Sequence, residues 1–386
     1  MREIVNLFSE RDSRDELGIG QIRDALSDTL FPGTSTLLTR ARYMLLIPWA
    51  FTAATRHGLD ADEIARHVEK NERNLIASLK RDSDGVGLLG KNAGPAALQR
   101  LPSSIYWVAL RQYGILSDPS LSQPDAIAAG INRTSVDEDL PQVAGPWSTT
   151  LPSLPERFPD NTASGFDLSK QEAEWLRDRM LEGAEGTLLG HLLGHRPQAE
   201  SSTPWFDSAT VDAPSNIADQ LNHARLFSLA MNGASLLYNL LLAEAYEAAG
   251  YDRITDAAHA YRERLSNWQD DRDLQAADLA SWRRSDFWEL AYNINPRIAG
   301  SSRAFVDGWL DAVAVKGQLN VADSGALRSL IDRRERRHKG PQARLQNPRL
   351  LQSWQGASGA GALTYRWQQV RGILLDLHDG LERADA

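Results

Sequence analysis

The 386-residue sequence contains no cysteine. This absence excludes disulfides, thiolate zinc sites, iron–sulfur clusters and cysteine nucleophiles, and a chain without cysteine fits a reducing compartment best. Basic residues are outnumbered by acidic ones, with 42 Lys and Arg against 51 Asp and Glu, so the formal net charge is −9. We therefore expect a cytoplasmic protein whose surface is mostly acidic.

Long apolar runs are also lacking. The first twenty residues have neither the basic start nor the apolar stretch of a signal peptide. The longest apolar segment reads SLAMNGASLLYNLLLAEAYEAAGY and contains Asn232, Asn239, Glu244 and Glu247. That polarity is typical of a helix buried inside a soluble domain, so we predict no membrane contact.

Sequence patterns for catalysis or cofactors are incomplete. GVGLLGKN resembles a phosphate-binding loop, but Asn92 stands where a magnesium-binding hydroxyl is required. His191 and His195 have the spacing of zinc ligands but lack an intervening glutamate and a third ligand. The sequence therefore predicts no metal site, no cofactor and no catalytic residue, while an unrecognised hydrolase or nuclease stays open as an alternative.

Helix signals dominate the chain. DADEIARHVEKNERNLIASLKR begins with Asp60 and Glu63 at capping-box spacing, and SKQEAEWLRDRMLEG repeats that spacing with Ser169 and Glu172. Strand alternation is scarce, and its best candidates are the short segments GVGLLG and GIL after Tyr113. We predict a mostly α, multi-helical fold with a small winged-helix-like unit possible in the N-terminal part.

Proline content suggests how the chain is divided. Prolines recur between residues 117 and 168, where they deny backbone donors and interrupt helices. We predict an N-terminal helical domain over 1–116 that contains a helix–turn–helix-like unit, and a proline-rich connector over 117–168. A C-terminal helical domain would then cover 169–386 and end in a basic tract and a Gly/Ser loop.

The segment GPAALQRLPSSIYWVALRQYGILSD resembles a winged-helix recognition unit, with a short helix, a turn at Pro102 and a second helix ending at Gly114. The apolar face of the second helix would comprise Ile105, Val108 and Ala109. Its exposed nucleic-acid-binding residues would be Ser103, Ser104, Tyr106 and Arg111. The alternative is a helical hairpin buried by Trp107 and Tyr113.

A basic tract lies between Arg328 and Arg349. Its eight cations face only two acids, Asp332 and Glu335, so the local charge is +6 and the rest of the chain carries −15 against a total of −9. The cations are Arg328, Arg333, Arg334, Arg336, Arg337, Lys339, Arg344 and Arg349. One basic tract on an acidic protein favours local capture of phosphates, and we predict that all but the first of these cations contact nucleic acid.

The segment GASGAGALTYRW follows the tract. Its small residues predict a flexible loop whose amides can approach an anion, and Tyr365 and Trp367 flank Arg366 as stacking surfaces for unpaired bases. Two alternatives remain open for the tract and loop. The cations would pair with the protein's own acidic body or with another subunit, or they would hold a small anionic ligand.

A second possible phosphate site lies near the N-terminus. In FPGTSTLLTRARYM, Thr34 or Ser35 would cap the next helix, and Arg40 and Arg42 would lie one turn inside it. The alternative is that the hydroxyl is only a cap. The arginines would then pair with Asp12, Asp15 or Asp24.

Three segments together resemble an uncharacterised bacterial family known as a domain of unknown function. They are RDELGIGQIRDALSDTLFPGTSTLLTRARYMLLIPW, DGVGLLGKNAGPAALQRLPSSIYW, and HKGPQARLQNP with WQGASGAGALTYRW. The resemblance covers nearly the whole chain and implies a setting in anti-phage defence, beside helicases and similar DNA-handling proteins. It supplies no activity, cofactor or catalytic residue. It also implies a truncated start, because relatives carry a longer lead-in before FSERDSRDELGIG.

These observations favour a nucleic-acid-binding accessory subunit of a bacterial defence system. Its partners would be DNA or RNA and a larger protein such as a helicase. The rival interpretation is an acidic helical scaffold or adaptor, whose eleven tryptophans serve protein partners.

Overall fold

The computed structural model describes residues 15–55, 59–91, 99–134, 145–314 and 320–384. Over these residues the chain forms fifteen α-helices and no strand, so the predicted all-α fold is confirmed. The two strand candidates are turns and a single isolated bridge between Leu116 and Trp147. The winged-helix detail is therefore not confirmed.

The helices are numbered here in chain order. They are α1 Gly20–Leu30, α2 Tyr43–Ala54, α3 Ala61–Asp82, α4 Pro102–Gln112, α5 Gln123–Thr134, α6 Lys170–Gly183, α7 Leu188–Leu192, α8 Ser215–Ala248, α9 Ala257–Leu274, α10 Ala276–Ser281, α11 Arg284–Ile294, α12 Gly300–Val313, α13 Gly325–Lys339, α14 Pro348–Gln352 and α15 Trp367–Leu381.

Both predicted capping boxes are present. The Asp60 carboxylate accepts a hydrogen bond from the Glu63 amide at 2.8 Å, and the Glu63 carboxylate accepts from the Asp60 amide at 3.1 Å. Ser169 and Glu172 make the same reciprocal pair at the start of α6. Each box satisfies two backbone donors that the first turn of a helix leaves without partners, which is why α3 and α6 begin where the sequence predicts.

The chain divides into two compact units, each built from two separate segments. Unit 1 comprises Met1–Thr29 and Asp219–Tyr365, and unit 2 comprises Leu30–Ala218 and Arg366–Ala386. The division predicted from the sequence differs from this one, because each of its three parts is a single continuous segment and the parts follow one another along the chain.

Unit 2 is organised around α2, whose sequence YMLLIPWAFTAA is apolar on every side. A helix of this kind is stable only when it is enclosed, and α2 packs against both α3 and α4. The ring of Phe51 contacts Trp107 at 5.7 Å and Trp147 at 5.3 Å between centroids. Elsewhere in the unit, α15 packs against α6.

Unit 1 is organised around the part of α8 that begins at Asp219. The indole nitrogens of Trp268 and Trp309 donate to the carbonyls of Leu229 and Ala230, each at 2.8 Å. Gly233 permits this approach, since a Cβ there would lie 2.3 Å from the Trp268 ring. By length and composition α8 is able to cross a membrane, but 78% of its apolar window is buried, as in the core helix of a folded domain.

Candidate nucleic-acid interface

Helix α4 carries the first predicted set of nucleic-acid-binding residues. Its buried side chains are Pro102, Ser103, Tyr106, Trp107, Ala109 and Leu110. Ser103 is 1% exposed and Tyr106 is fully buried, so the prediction that both are exposed is wrong. Val108, predicted for the apolar face, is 63% exposed, whereas Trp107 is buried, as the alternative interpretation expected. The buried face of α4 is therefore rotated from the predicted one.

Ser103 is buried because it binds a carboxylate of α3. Its amide donates to Glu72 Oε1 at 2.7 Å and its hydroxyl to Glu72 Oε2 at 2.9 Å. The carboxylate thus caps the start of α4 from a neighbouring helix. Burial raises the pKa of Glu72 to about 7, although the two bonds from Ser103 oppose that rise.

The Tyr106 hydroxyl organises the loop that precedes α2. It accepts hydrogen bonds from the amides of Thr39 at 2.8 Å and Arg40 at 3.0 Å, and it donates to the Arg40 carbonyl at 2.9 Å. A tyrosine that holds a loop in this way has no free hydroxyl for a nucleic acid.

Of the four residues predicted on α4, only Ser104 is exposed. Its hydroxyl donates to the Leu101 carbonyl at 2.8 Å, in the first turn of the helix. Arg111 is partly buried and donates to the Leu121 carbonyl at 2.7 Å, which ties α4 to the following turn. These contacts favour a packing role for α4 over a groove-reading one, and the short helix predicted before Pro102 falls largely on residues 92–98, which lie outside the described residues.

The possible phosphate site near the N-terminus does not form as predicted. Helix α2 begins at Tyr43, so Arg40 and Arg42 precede it. Thr34 is buried and donates to the Phe31 carbonyl at 2.7 Å, and the Ser35 hydroxyl accepts from the Leu37 amide at 3.3 Å. Neither hydroxyl caps α2, because the residues from 35 to 42 form turns rather than the predicted helix.

Both arginines of that site pair with acids. Arg42 is 1% exposed and its guanidinium donates to Glu172 Oε1 at 2.9 Å and to two backbone carbonyls at 2.8 Å. Arg40 pairs with Asp376 at 2.9 Å. The partners are therefore not Asp15 or Asp24, and Asp12 lies outside the described residues. Arg42 is buried and Arg40 is half-buried, and guanidinium groups that are already bonded to carboxylates in this way are not available to a phosphate.

The basic tract forms α13 and the segment after it. Its seven cations that were predicted to contact nucleic acid separate into two groups. Arg334, in the first group, is buried. It contacts residues near the start of the chain, which belong to the same unit. It donates to the Leu17 carbonyl at 2.7 Å, the Gly18 carbonyl at 3.0 Å and the Ser302 hydroxyl at 2.8 Å. Gly18 has a φ of +66°, and a Cβ there would lie 2.1 Å from the guanidinium. Arg334 is thus a structural residue, and its predicted exposure to nucleic acid is wrong.

Lys339 and Arg344 also belong to this first group. Arg344 pairs with Glu16 at 2.8 Å, and its amide donates to Glu335 at 2.7 Å. Lys339 pairs with Glu16, and the Tyr238 hydroxyl donates to Glu335 at 2.6 Å. We call these five residues the glutamate cluster. Two buried carboxylates and two cations balance in charge, so neither cation is available to a phosphate.

The second group is exposed. Arg333, Arg336 and Arg337 lie on the outer side of α13, and Arg349 is exposed on α14. Arg336 pairs with Asp332 one turn before it. Arg333, Arg337 and Arg349 form no side-chain hydrogen bond or ion pair with any residue that the structure describes. We call these four residues the outer arginines.

The residues predicted to stack on bases are buried. The Tyr365 hydroxyl donates to the Ala224 carbonyl at 2.7 Å in unit 1. In unit 2 the Trp367 indole donates to the Ser201 hydroxyl at 2.9 Å, and Arg366 donates to the Thr34 carbonyl at 2.7 Å. The prediction of stacking surfaces is therefore wrong, because neither ring has a face open to a base.

The small-residue loop is also held in place. Ser358 donates its amide to the Asn239 side chain at 2.8 Å, and the Asn239 amide group donates to the Ser358 carbonyl at 2.7 Å. Asn232 reaches the Ala360 carbonyl at 3.3 Å in the same way. The polar residues inside the otherwise apolar α8 were the sequence signal for this docking, since a buried amide needs partners.

Comparison with protein families gives a match over nearly the whole chain. Residues 1–380 match the model of a family of unknown function, DUF6361. The chain belongs to the DUF6361 family. No curated protein and no solved structure matches it. The predicted resemblance to an uncharacterised family is thus confirmed, and the link to anti-phage defence stays a prediction.

In this DUF6361 protein, the chemistry open to a ligand at the basic tract is that of exposed guanidinium groups. Among the described residues, no group of three or more His, Cys, Asp or Glu is placed to hold a metal ion. Guanidinium groups form strong, charge-assisted hydrogen bonds to phosphate oxygens. The outer arginines therefore form the candidate interface.

Proposed function

We propose that this protein is a nucleic-acid-binding accessory protein whose outer arginines contact the phosphate backbone. One observation carries the proposal. Arg333 and Arg337 are exposed one turn apart and have no partner among the residues that the structure describes, while the neighbouring Arg334, Lys339 and Arg344 are all bonded. In a chain with a net charge of −9, exposed cations concentrated on one helix favour an anionic ligand at that place.

The helix presents these arginines on a fixed support. The opposite side of α13 is anchored by Arg334 and by the fully buried Glu335. The segment before α14 is tied to α13 because the Gln346 side chain donates to Asp332 at 3.1 Å. Side chains one helical turn apart lie about 6 Å from each other at Cβ, which allows contacts to more than one phosphate along a strand.

The proposed contacts are to phosphates alone. The predicted base-contacting residues Tyr106, Tyr365 and Trp367 are buried, so none of these rings is open to a base at the candidate interface. Phosphate contacts position a protein on nucleic acid without reading sequence. Specificity for a nucleic-acid sequence would then come from a larger partner enzyme, such as a helicase in a defence system. We include that partner enzyme in the proposed function.

The test replaces Arg333, Arg337 and Arg349 with Gln and measures binding to labelled duplex and single-stranded DNA by fluorescence anisotropy. A matched control replaces Arg100, Arg253 and Arg297, which are exposed arginines outside the tract, with Gln. Three lost duplex contacts should reduce the slope of log affinity against log salt by about 2.7, at about 0.9 per contact. The control should keep nearly the wild-type slope.

Two results would reject this function. If wild type binds neither DNA nor RNA at low salt, the outer arginines are a solvated surface. If the control variant loses as much affinity as the outer-arginine variant, the effect comes from total charge rather than from α13.

A second candidate function is a protein adaptor, and one surface feature of unit 2 favours it. Phe206 is 73% exposed and Val211 is 78% exposed. The buried Asp207 fixes the turn between them, because it accepts hydrogen bonds from the Gln198 amide at 3.0 Å and the Ala209 amide at 2.9 Å. Exposed apolar side chains on a fixed turn are typical of protein contacts.

Purification from host cells with and without nuclease treatment separates the two functions. The adaptor function is supported by a co-purified partner protein that stays bound after nuclease treatment and is lost when Phe206 and Val211 are changed to Ser. The accessory role on nucleic acid is supported by a partner protein that nuclease treatment releases.

A further inference from the structure

A small polar cavity lies in unit 1, beside the first turns that α8 contributes to that unit. Its volume is about 150 Å³. The residues that line it include Asp219, Asn222, His223, Asp278, Trp282 and Arg283. None of these residues belongs to the basic tract, so the cavity is separate from the proposed nucleic-acid interface.

His223 supplies the main directional group of the cavity. It is only 8% exposed, and its Nδ1 accepts a hydrogen bond from the indole nitrogen of Trp282 at 2.8 Å. An indole only donates, so Nδ1 carries no proton and the neutral ring carries its proton on Nε2. Burial lowers the pKa of His223, which favours this neutral form.

The proton on Nε2 has no acceptor in the described part of the protein. No residue in the described parts of the chain accepts a hydrogen bond from Nε2 of His223, although the ring lines the cavity. The ring position is fixed by contacts with Trp282 and Phe287, at 6.4 and 6.1 Å between centroids. Nε2 is accessible to solvent rather than sealed in the core, so an acceptor that enters the cavity can bond to this fixed donor.

The charges around the cavity are not balanced. Asp278 pairs with Arg225 at 2.6 Å, and Arg283 lies 3.1 Å from Asp286 but 3.9 Å from Asp219. The lining of the cavity therefore has two carboxylates, Asp219 and Asp278, against the one guanidinium group of Arg283, and Asp219 is the carboxylate held more weakly. The excess negative charge favours a cation beside Asp219.

We propose that this cavity binds a small organic cation that also carries a hydrogen-bond acceptor, such as a primary amine next to a carbonyl. The ammonium group would lie at the Asp219 and Asp278 carboxylates, and the carbonyl would accept from Nε2 of His223. A cavity of about 150 Å³ accommodates a ring of six carbons, so the ligand has a similar number of non-hydrogen atoms.

The test uses glycinamide as the probe, with ethylamine and acetamide as matched controls. Ethylamine keeps the cation without the acceptor, and acetamide keeps the acceptor without the cation. Binding is followed by the nitrogen NMR shift of Nε2 of His223 as each compound is titrated. Glycinamide should produce a saturable shift at a concentration at least about tenfold lower than either control.

Variants test the two halves of the site. Asp219→Asn with Asp278→Asn should weaken glycinamide binding by about tenfold or more, whereas Asp270→Asn with Asp271→Asn, an exposed change of the same charge outside the cavity, should not. Trp282→Phe removes the donor that fixes the tautomer of His223. It should weaken glycinamide more than ethylamine, because only glycinamide uses Nε2.

Three results would overturn the proposal. The first is the absence of any saturable shift with glycinamide in the folded wild-type protein. The second is equal binding of acetamide and glycinamide, which would show that the carboxylates do not recognise the cation. The third is unchanged binding in the double Asp variant. Loss of DNA binding by the outer-arginine variant would not affect these results, so the two proposals fail independently.

Discussion

The glutamate cluster predicts that two basic residues of the arginine-rich tract stabilise the protein. Lys339→Gln with Arg344→Gln would remove both cations that pair with Glu16, whose carboxylate is buried. Glu335 would keep its bonds from the Arg344 amide and from Tyr238. The variant is therefore left with buried negative charge that the wild type neutralises.

The expected loss is about 3 to 5 kcal/mol in the free energy of unfolding of unit 1, the usual cost of removing one side of a buried ion pair. Urea denaturation at constant temperature measures it. With a slope of about 3 kcal/mol per molar, the midpoint should fall by about 1 to 1.7 M. The outer-arginine variant is the internal comparison, because exposed substitutions change stability by about 0.5 kcal/mol or less.

Equal midpoints for the two variants would contradict this role of the glutamate cluster. That result would mean that water or a rearranged side chain compensates Glu16, and that the cluster is not the reason why Lys339 and Arg344 are unavailable to phosphates. A Lys339 and Arg344 variant that remains stable but loses nucleic-acid binding would also contradict it, since both residues would then belong to the interface.

Three further predictions concern unit 2. The folded pKa of Glu72 is about 7, above the ordinary 4.5, so the stability that it contributes is complete below pH 4.5 and is lost as pH rises through 7. Across that window wild type should lose up to about 3 kcal/mol relative to Glu72→Gln in urea denaturation, and a pH-independent difference would contradict the assignment. Tyr106→Phe should cost about 1 to 3 kcal/mol, because it leaves the Thr39 and Arg40 amides without an acceptor, and a melting temperature equal to wild type would argue against that role. Trp107→Ala should cost about 3 to 5 kcal/mol as a core truncation, and a fully stable variant would show that its indole is dispensable.

Local features of the fold were predictable from the sequence. The capping boxes at Asp60 and Ser169 depend on residues three positions apart, and the structure confirms both. The absence of alternation likewise predicted an all-α protein. Such patterns are readable because their partners are neighbours in the chain.

The exposed cations of the basic tract could not be distinguished from its bonded cations by local sequence patterns. Counting charge treats every cation as available, whereas Arg344 pairs with Glu16, which is 328 residues away along the chain. The face of α4 was misassigned for the same reason, because Glu72 buries Ser103 from another helix. Neither contact leaves a periodic signal, since each joins residues that only the folded chain brings together.

The most direct test of the proposed function is the salt dependence of duplex binding by the wild-type protein. Three or four phosphate contacts from the outer arginines predict a slope of log affinity against log salt between about −2.7 and −3.6. The measurement needs only fluorescence anisotropy over a series of salt concentrations. A slope in that range would support phosphate contacts at α13, whereas a slope near zero, or no measurable binding at low salt, would contradict the account.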